Sequence, residues 1–367
     1  MELAVLIIIS FYFLLHLVFY YGLKRSEGIK KIHSDRYPFI SVIVAARNEE
    51  NNIGNCINSL KVINYPADRY EVILVNDNST DSTKDIMRKL TDNHNEFIIL
   101  DTIDAPKTNL VGKVKALSYA ISNSNGELIL MTDADCVVNE NWLLETSGYF
   151  NEKTGLICGF TMIEYSYGYF SKLQALDWIY LQALASASSG INTELSCIGN
   201  NLSMSANAFN SVGGYEELKF SVTEDLALLR KIKTENKYSV VYPINPSCLV
   251  KTLPCADLKE LFQQKKRWFR GGTDINLLGY ILGFLLYVSN FVLLTGFLYL
   301  TPFTYIGLVL FKMISELLII LPVYRKLNYR NLIKYFPLFQ LYFAVYGLLL
   351  PFTFLFGHRI VWKGRKH

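Results

Sequence analysis

The sequence predicts an α/β domain built on a mainly parallel sheet and flanked along the chain by membrane helices. Three observations carry that expectation. From residue 38 to about 135, short β-rich runs alternate with helical patterns, which is the signature of βαβ units. Apolar residues make up 51% of the 367 residues and charged ones 19%, against about 25% charge in an ordinary soluble protein. The apolar excess is also segregated: residues 3–21 and most of 275–356 are nearly uncharged, while the middle has a globular composition.

The elements follow in order. Residues 3–21 are one apolar run, and about 20 helical residues span the roughly 30 Å of a bilayer core. A signal peptide wants a basic start and a small-residue cleavage site. Here the chain starts Met1-Glu2, and the basic cluster Lys24, Arg25, Lys30, Lys31 comes after the run. Residues 1–23 therefore read as an uncleaved anchor, N-terminus outside and residue 24 onward cytoplasmic. Residues 38–252 form the α/β domain. Phe39–Val44, Val72–Val75, Phe97–Leu100 and Leu128–Met131 are its first strands. Ile53, Cys56, Ile57 and Leu60, a polar stretch at about 81–90, and Ala116, Leu117, Ala120 and Ile121 mark the helices between them. Residues 253–272 read as an amphipathic helix at the membrane interface, stopped by Gly271-Gly272. Residues 275–356 supply the C-terminal membrane helices, in apolar runs at about 275–300, 303–323 and 335–356. The last contains Pro337 and Pro351 and reads either as a span or as a re-entrant hairpin.

Basic residues flank the apolar runs and build no stripe through the globular part. That suits anionic lipid headgroups and argues against nucleic acid as a partner. Six cysteines occur without a Cys-x-x-Cys pair, which reads as reduced thiols without a zinc site. Lys312 and Glu316 lie four residues apart inside an apolar run. They read either as a structural pair on one helix face or as a functional intramembrane charge.

Four signatures occur in a fixed order: Val75-Asn76-Asp77, Thr132-Asp133-Ala134-Asp135, Thr223-Glu224-Asp225 and, about 40 residues later, Gln264-x-x-Arg267-Trp268. In an α/β sheet, ligands bind beyond the carboxyl ends of the strands, and Asp77, Asp133 and Asp135 all fall there. A lone Asp-x-Asp is more often a turn. As two alternate positions of an extended chain, Asp133 and Asp135 would face one side. Gln264, Arg267 and Trp268 share one helix face.

The ordered series resembles the membrane-embedded family 2 glycosyltransferases. That branch includes ceramide glucosyltransferase, poly-N-acetylglucosamine synthase, hyaluronan synthase and cellulose synthase. The resemblance covers about residues 38–272. It implies a GT-A-like nucleotide-sugar-binding domain and an inverting, metal-dependent transfer of a hexose from a UDP-sugar to a membrane lipid or glycan. Within the same resemblance, the alternative is a processive polysaccharide synthase that exports its product. It also implies residue roles. Asp135 holds Mg²⁺ or Mn²⁺, hard ions that take carboxylate and phosphate oxygens. Arg47, Glu49, Asp77, Lys113, Asp133, Gln264 and Arg267 bind the nucleotide sugar, Glu224 and Trp268 meet the acceptor, and Asp225 is the general base. Val114-Lys115 depart from the smaller residues expected after Gly112-Lys113. Gly199-Asn200-Asn201 resembles an acceptor-side segment.

Overall fold

The computed structural model describes residues 2–32, 36–218, 221, 223–235, 237–272, 275–354, 361–362 and 365–366. Its helices are α1 (Glu2–Glu27), α2 (Ile53–Lys61), α3 (Thr83–Thr91), α4 (Lys113–Ser122), α5 (Trp142–Ser147), α6 (Tyr169–Gly190), α7 (Ala206–Ser211), α8 (Glu224–Thr234), α9 (Leu258–Gly271), α10 (Leu277–Thr295), α11 (Pro302–Lys326) and α12 (Phe336–Leu349). The main strands are β1 (Ile40–Ala46), β2 (Tyr70–Asn76), β3 (Phe97–Asp101), β4 (Leu128–Asp133), β5 (Cys136–Val138), β6 (Thr154–Cys158), β7 (Thr161–Ile163), β8 (Asn201–Ser205), β9 (Ser239–Val241) and β10 (Val250–Thr252). These elements form two compact units. One holds residues 29–162 and 197–253, the other 1–28, 163–196 and 254–367.

The first unit is the α/β domain. Its seven-stranded sheet runs β3-β2-β1-β4-β8-β6-β9. The four predicted strands are parallel, and β8 then runs antiparallel to β4. Every residue of β2 is buried, as are Val42 and Val44 of β1 and Leu130 of β4. Strands covered on both faces need such unbroken apolar runs. Ile53, Cys56, Ile57 and Leu60 of α2 pack into the core that contains these strands, which explains their helical spacing. A small second sheet runs β5-β10-β7, and β5 follows directly in sequence on the Asp133–Asp135 turn.

Among the described residues of the second unit, four helical segments are long and apolar enough to cross a membrane: residues 2–27, 277–298, 302–326 and 330–353. The last is a continuous helical segment, not a hairpin. Pro337 sits in the first turn of α12 and Pro351 in the 3₁₀ turn after it. A proline in a first helical turn forfeits no hydrogen bond. Glu2 Oε1 accepts from the Thr301 amide at 3.0 Å, and Lys326 Nζ donates to the Glu27 carbonyl at 3.0 Å. The basic ends of α1 and α11 are thus neighbours at one end of the unit.

Helix α6 was expected inside the continuous 38–252 domain, but it packs among the apolar helices, chiefly against α1. The reason is its run of small side chains. A Cβ on Gly22 would lie 2.1 Å from the Ala187 carbonyl oxygen, and one on Gly190 would lie 1.9 Å from that of Gly22. Only glycine allows the backbones this close, the pattern of small-residue helix contacts in membranes. Ser26 Oγ donates to the Ser186 carbonyl at the same crossing.

Lys312 and Glu316 sit in a network spanning α1, α11 and α12. Lys312 Nζ donates to Glu316 Oε1 (2.5 Å) and Gln340 Oε1 (2.7 Å), Gln340 Nε2 donates to Glu316 Oε2 (2.5 Å), and Tyr12 donates to Glu316 Oε1 (2.7 Å). All four side chains are buried. The pair therefore joins helices. Removing one partner strands a buried charge, at about 3–5 kcal/mol. Lys312→Met should lower the thermal unfolding temperature in detergent well below that of Lys312→Met/Glu316→Leu; equal losses would contradict this account.

Candidate active site

The parallel register brings the predicted residues of the α/β unit to one edge of the sheet. Ala45 pairs with both Val75 and Asp133, and Asn76 with both Ala46 and Asp101. Arg47 and Asp77 thus follow directly from adjacent strand ends. Their loops are laced together. Arg47 Nη1 donates to the Asp77 carbonyl (3.0 Å), the Thr80 amide donates to Asn48 Oδ1 (2.8 Å), and the Ser82 amide donates to Glu50 Oε2 (3.1 Å). Glu49 is buried beneath them and accepts from Asn52 Nδ2 at 2.8 Å. Thr102 donates from its hydroxyl to Asp77 Oδ1 at 3.4 Å.

The centre of the edge is acidic. Lys113, the first residue of α4, places Nζ 2.6 Å from Asp133 Oδ1 and 3.5 Å from Glu224 Oε1. Burial alone would lower the Lys113 pKa, but the charges of Asp133 and Glu224 outweigh it and hold the ammonium above the ordinary lysine range. Glu224 and Asp225 occupy the first turn of α8, where the helix dipole favours carboxylates. A Cβ on Gly199 would touch Asp225 at 3.3 Å, so Gly199 also borders the cluster. Asn201 faces inward. Its Oδ1 accepts from Trp142 Nε1 (3.1 Å), and its Nδ2 donates to the Phe160 and Cys248 carbonyls.

The Asp-x-Asp geometry differs from the extended one expected. Asp133 ends β4, whereas Asp135 lies in the turn into β5. Cys136 donates from Sγ to Asp135 Oδ1 at 3.4 Å, and Cys56 from Sγ to the Asp133 carbonyl at 3.6 Å. Neither cysteine was legible as part of the site. Cys56 reads as one apolar position of α2, although the place of Cys136 directly after Asp135 was a usable signal. None of the six cysteines forms a disulfide, and all are buried. Burial and the Asp133 charge push the Asp135 pKa up to about 6.

Gln264, Arg267 and Trp268 belong to the helical unit, on α9. Asp257 caps this helix by accepting the Glu260 amide at 2.8 Å. Trp268 packs against the Trp178 edge with ring centroids 5.1 Å apart. Gln264 Oε1 is buried with no hydrogen-bond partner among the described residues.

Residues 41–210 match the family model described as "Glycosyl transferase family 2", and residues 128–356, well over half the chain, match "Glycosyl transferase family group 2". The chain belongs to the family 2 glycosyltransferases. This glycosyltransferase is 30% identical over 253 residues to a beta-monoglucosyldiacylglycerol synthase of Nostoc sp., a match covering 68% of this chain and 52% of that one. It is 24% identical over 280 residues to a poly-beta-1,6-N-acetyl-D-glucosamine synthase of Staphylococcus epidermidis, covering 74% and 64%. The chain spans about half the length of the first of these relatives. The fold is similar to that of the mannosyltransferase PcManGT from Pyrobaculum calidifontis, solved in complex with GDP-Man and Mn²⁺. The TM-score is 0.60 at 16% identity, covering 95% of this glycosyltransferase and 99% of that chain.

The raised Asp135 pKa has a consequence for stability. The folded protein holds this proton more tightly than the unfolded chain, whose value is near 3.8. The group's contribution to stability therefore falls as pH rises from about 3.8 to about 6, and stays low above that. Asp135→Asn mimics the protonated form. In metal-free buffer it should be more stable than the native protein by about 1–3 kcal/mol at pH 8, with most of the gain gone at pH 4. Thermal melts at the two pH values check this.

Proposed function

We propose that this glycosyltransferase moves a hexose from a UDP-sugar to a membrane lipid, with inversion at the anomeric carbon and with the α/β unit on the cytoplasmic side. The observation that carries the reading is the Lys113 cluster. It joins Asp133 from a strand end, Glu224 from a helix start and, beside it, Asp225. The UDP-sugar donor comes from the resemblance of the motif series. The lipid acceptor is supported by the similarity to the monoglucosyldiacylglycerol synthase.

Asp133 and Asp135 offer hard oxygen ligands, and among the described residues no group of three His, Cys, Asp or Glu could hold a metal. That donor set fits Mg²⁺ or Mn²⁺, which take one or two carboxylates and complete their shell with substrate phosphates and water. When bound, the ion supplies Lewis-acid stabilisation of the departing diphosphate. Arg47 and Glu49 hold the loop beside Asp77, at the nucleoside end of the donor. Lys113 can turn its ammonium from Asp133 toward phosphate oxygens. Asp225 takes the proton from the acceptor hydroxyl as its oxygen attacks the anomeric carbon. The start of α8 presents the positive end of the helix dipole to this carboxylate. Glu224 and Trp268 orient the acceptor, and Gln264 and Arg267 hold the donor phosphates.

The processive reading finds support in the poly-N-acetylglucosamine synthase relative. A polar polymer crossing hydrocarbon needs a lined conduit. Lys312, Glu316, Gln340 and Tyr12 are instead bonded to one another, which favours a lipid product. Purified protein in vesicles, given labelled UDP-glucose or GDP-mannose with Mn²⁺ and diacylglycerol, should yield an organic-extractable low-mass product from the UDP-sugar. High-mass product inside the vesicles would establish the processive reading instead. Asp225→Asn should bind UDP normally and lose about 10²–10⁴-fold in turnover, the usual worth of a general base.

Orientation has a separate check. Lys30→Cys and Arg330→Cys should resist impermeant thiol reagents in intact cells, since basic loops stay inside. The buried native cysteines keep the background low. Rapid labelling of either would reverse the topology.

A further inference from the structure

The Gln-x-x-Arg-Trp helix carries a buried charge at a position the motif leaves unspecified. Lys265, between Gln264 and Arg267, is 3% exposed. Its ammonium pairs with Asp177 of α6, which is 0% exposed. Tyr346 of α12 donates its hydroxyl to Asp177 Oδ1 at 2.5 Å. The ammonium also lies over the rings of Trp268, 4.5 Å from the centroid, and Tyr346, 5.2 Å away. Trp178, the neighbour of Asp177 in sequence, meets Trp268 edge-on. One carboxylate thus joins α6, α9 and α12, and every contact converges on the turn of α9 that presents Arg267 and Trp268.

A charge pair is a costly way to join helices, since apolar residues of similar volume usually serve as well. What it adds is direction. The ion pair with Asp177 and the cation–π contact with Tyr346 both reach other helices and fix the azimuth of α9 about its axis. A rotation by one residue, about 100°, would carry Trp268 away from Trp178. We infer that Asp177 and Lys265 form a buried lock that sets which way Arg267 and Trp268 face. Asp177 is then a positioning residue for the transfer reaction. This inference rests on the reading that the Gln-x-x-Arg-Trp motif handles the substrates.

The test uses the full chain in detergent micelles. Single variants such as Asp177→Asn leave Lys265 buried without its counter-charge and can fail to fold. The informative variant is therefore Asp177→Leu/Lys265→Met, which removes both charges. It should melt close to the native protein and bind UDP more weakly, since Arg267 turns with the helix. It should also lose near-ultraviolet circular dichroism from the Trp178–Trp268 pair. With UDP-glucose and diacylglycerol as probes, kcat/KM for diacylglycerol should fall by up to about 100-fold, the scale of a misplacement of about 1 Å. Lys265→Arg, which keeps the charge, should retain more of that activity than the double variant. A folded double variant with native dichroism would overturn the lock, whatever its turnover. Trp268→Ala separates the two readings. If it is inactive while the double variant is fully active, only the lock fails. If it keeps full activity, the motif reading fails as well.

Discussion

Like charges crowd the carboxyl edge of the sheet, and the site depends on how that repulsion is met. Asp133, Asp135, Glu224 and Asp225 come from β4, the turn after it and the start of α8. Two unit charges 4 Å apart interact by about 4 kcal/mol at an effective dielectric of 20. Lys113 offsets part of that by facing Asp133 and Glu224 together. Burial and the Asp133 charge together push the Asp135 pKa up to about 6. An edge so arranged prefers to gain positive charge.

The helical unit handles charge in the opposite way. Its buried ions are closed into partners of fixed geometry: Lys312 with Glu316 and Gln340, and Lys265 with Asp177. Polar contacts and close glycine crossings fix how these apolar helices mate. The Gly22–Gly190 approach and the Glu316 network both involve α1. This helix is therefore a structural member of the unit as well as an apolar segment.

Much of the α/β unit was legible in the sequence because its signals are local. A run such as Val72–Val75 announces a buried strand, and an acid directly after it falls at the sheet edge whatever the wider topology. What escaped notice depended on contacts distant in sequence. Helix α6 has an ordinary composition for a soluble domain, and only Gly22 and Gly190 meeting 168 residues apart reveal its partner. The turn at Asp135 was hidden because β5 is only three residues long. Lys265 lies on a helix whose sequence reads as amphipathic and interfacial, and its ion pair with Asp177 was decided by where α6 lies within its own unit.

The two units are interleaved along the chain: 1–28, 163–196 and 254–367 alternate with 29–162 and 197–253. Synthesis runs in one direction, so these segments emerge alternately. Helix α1 is made first, but Ala187 and Gly190 follow it only after the first four parallel strands. The antiparallel strand β8 reaches β4 only after α6 is complete. Domains generally form as units during synthesis, yet here each unit is interrupted along the chain by segments of the other. No single cut of the chain yields either unit whole, and the biogenesis of the α/β unit is tied in time to that of the helices.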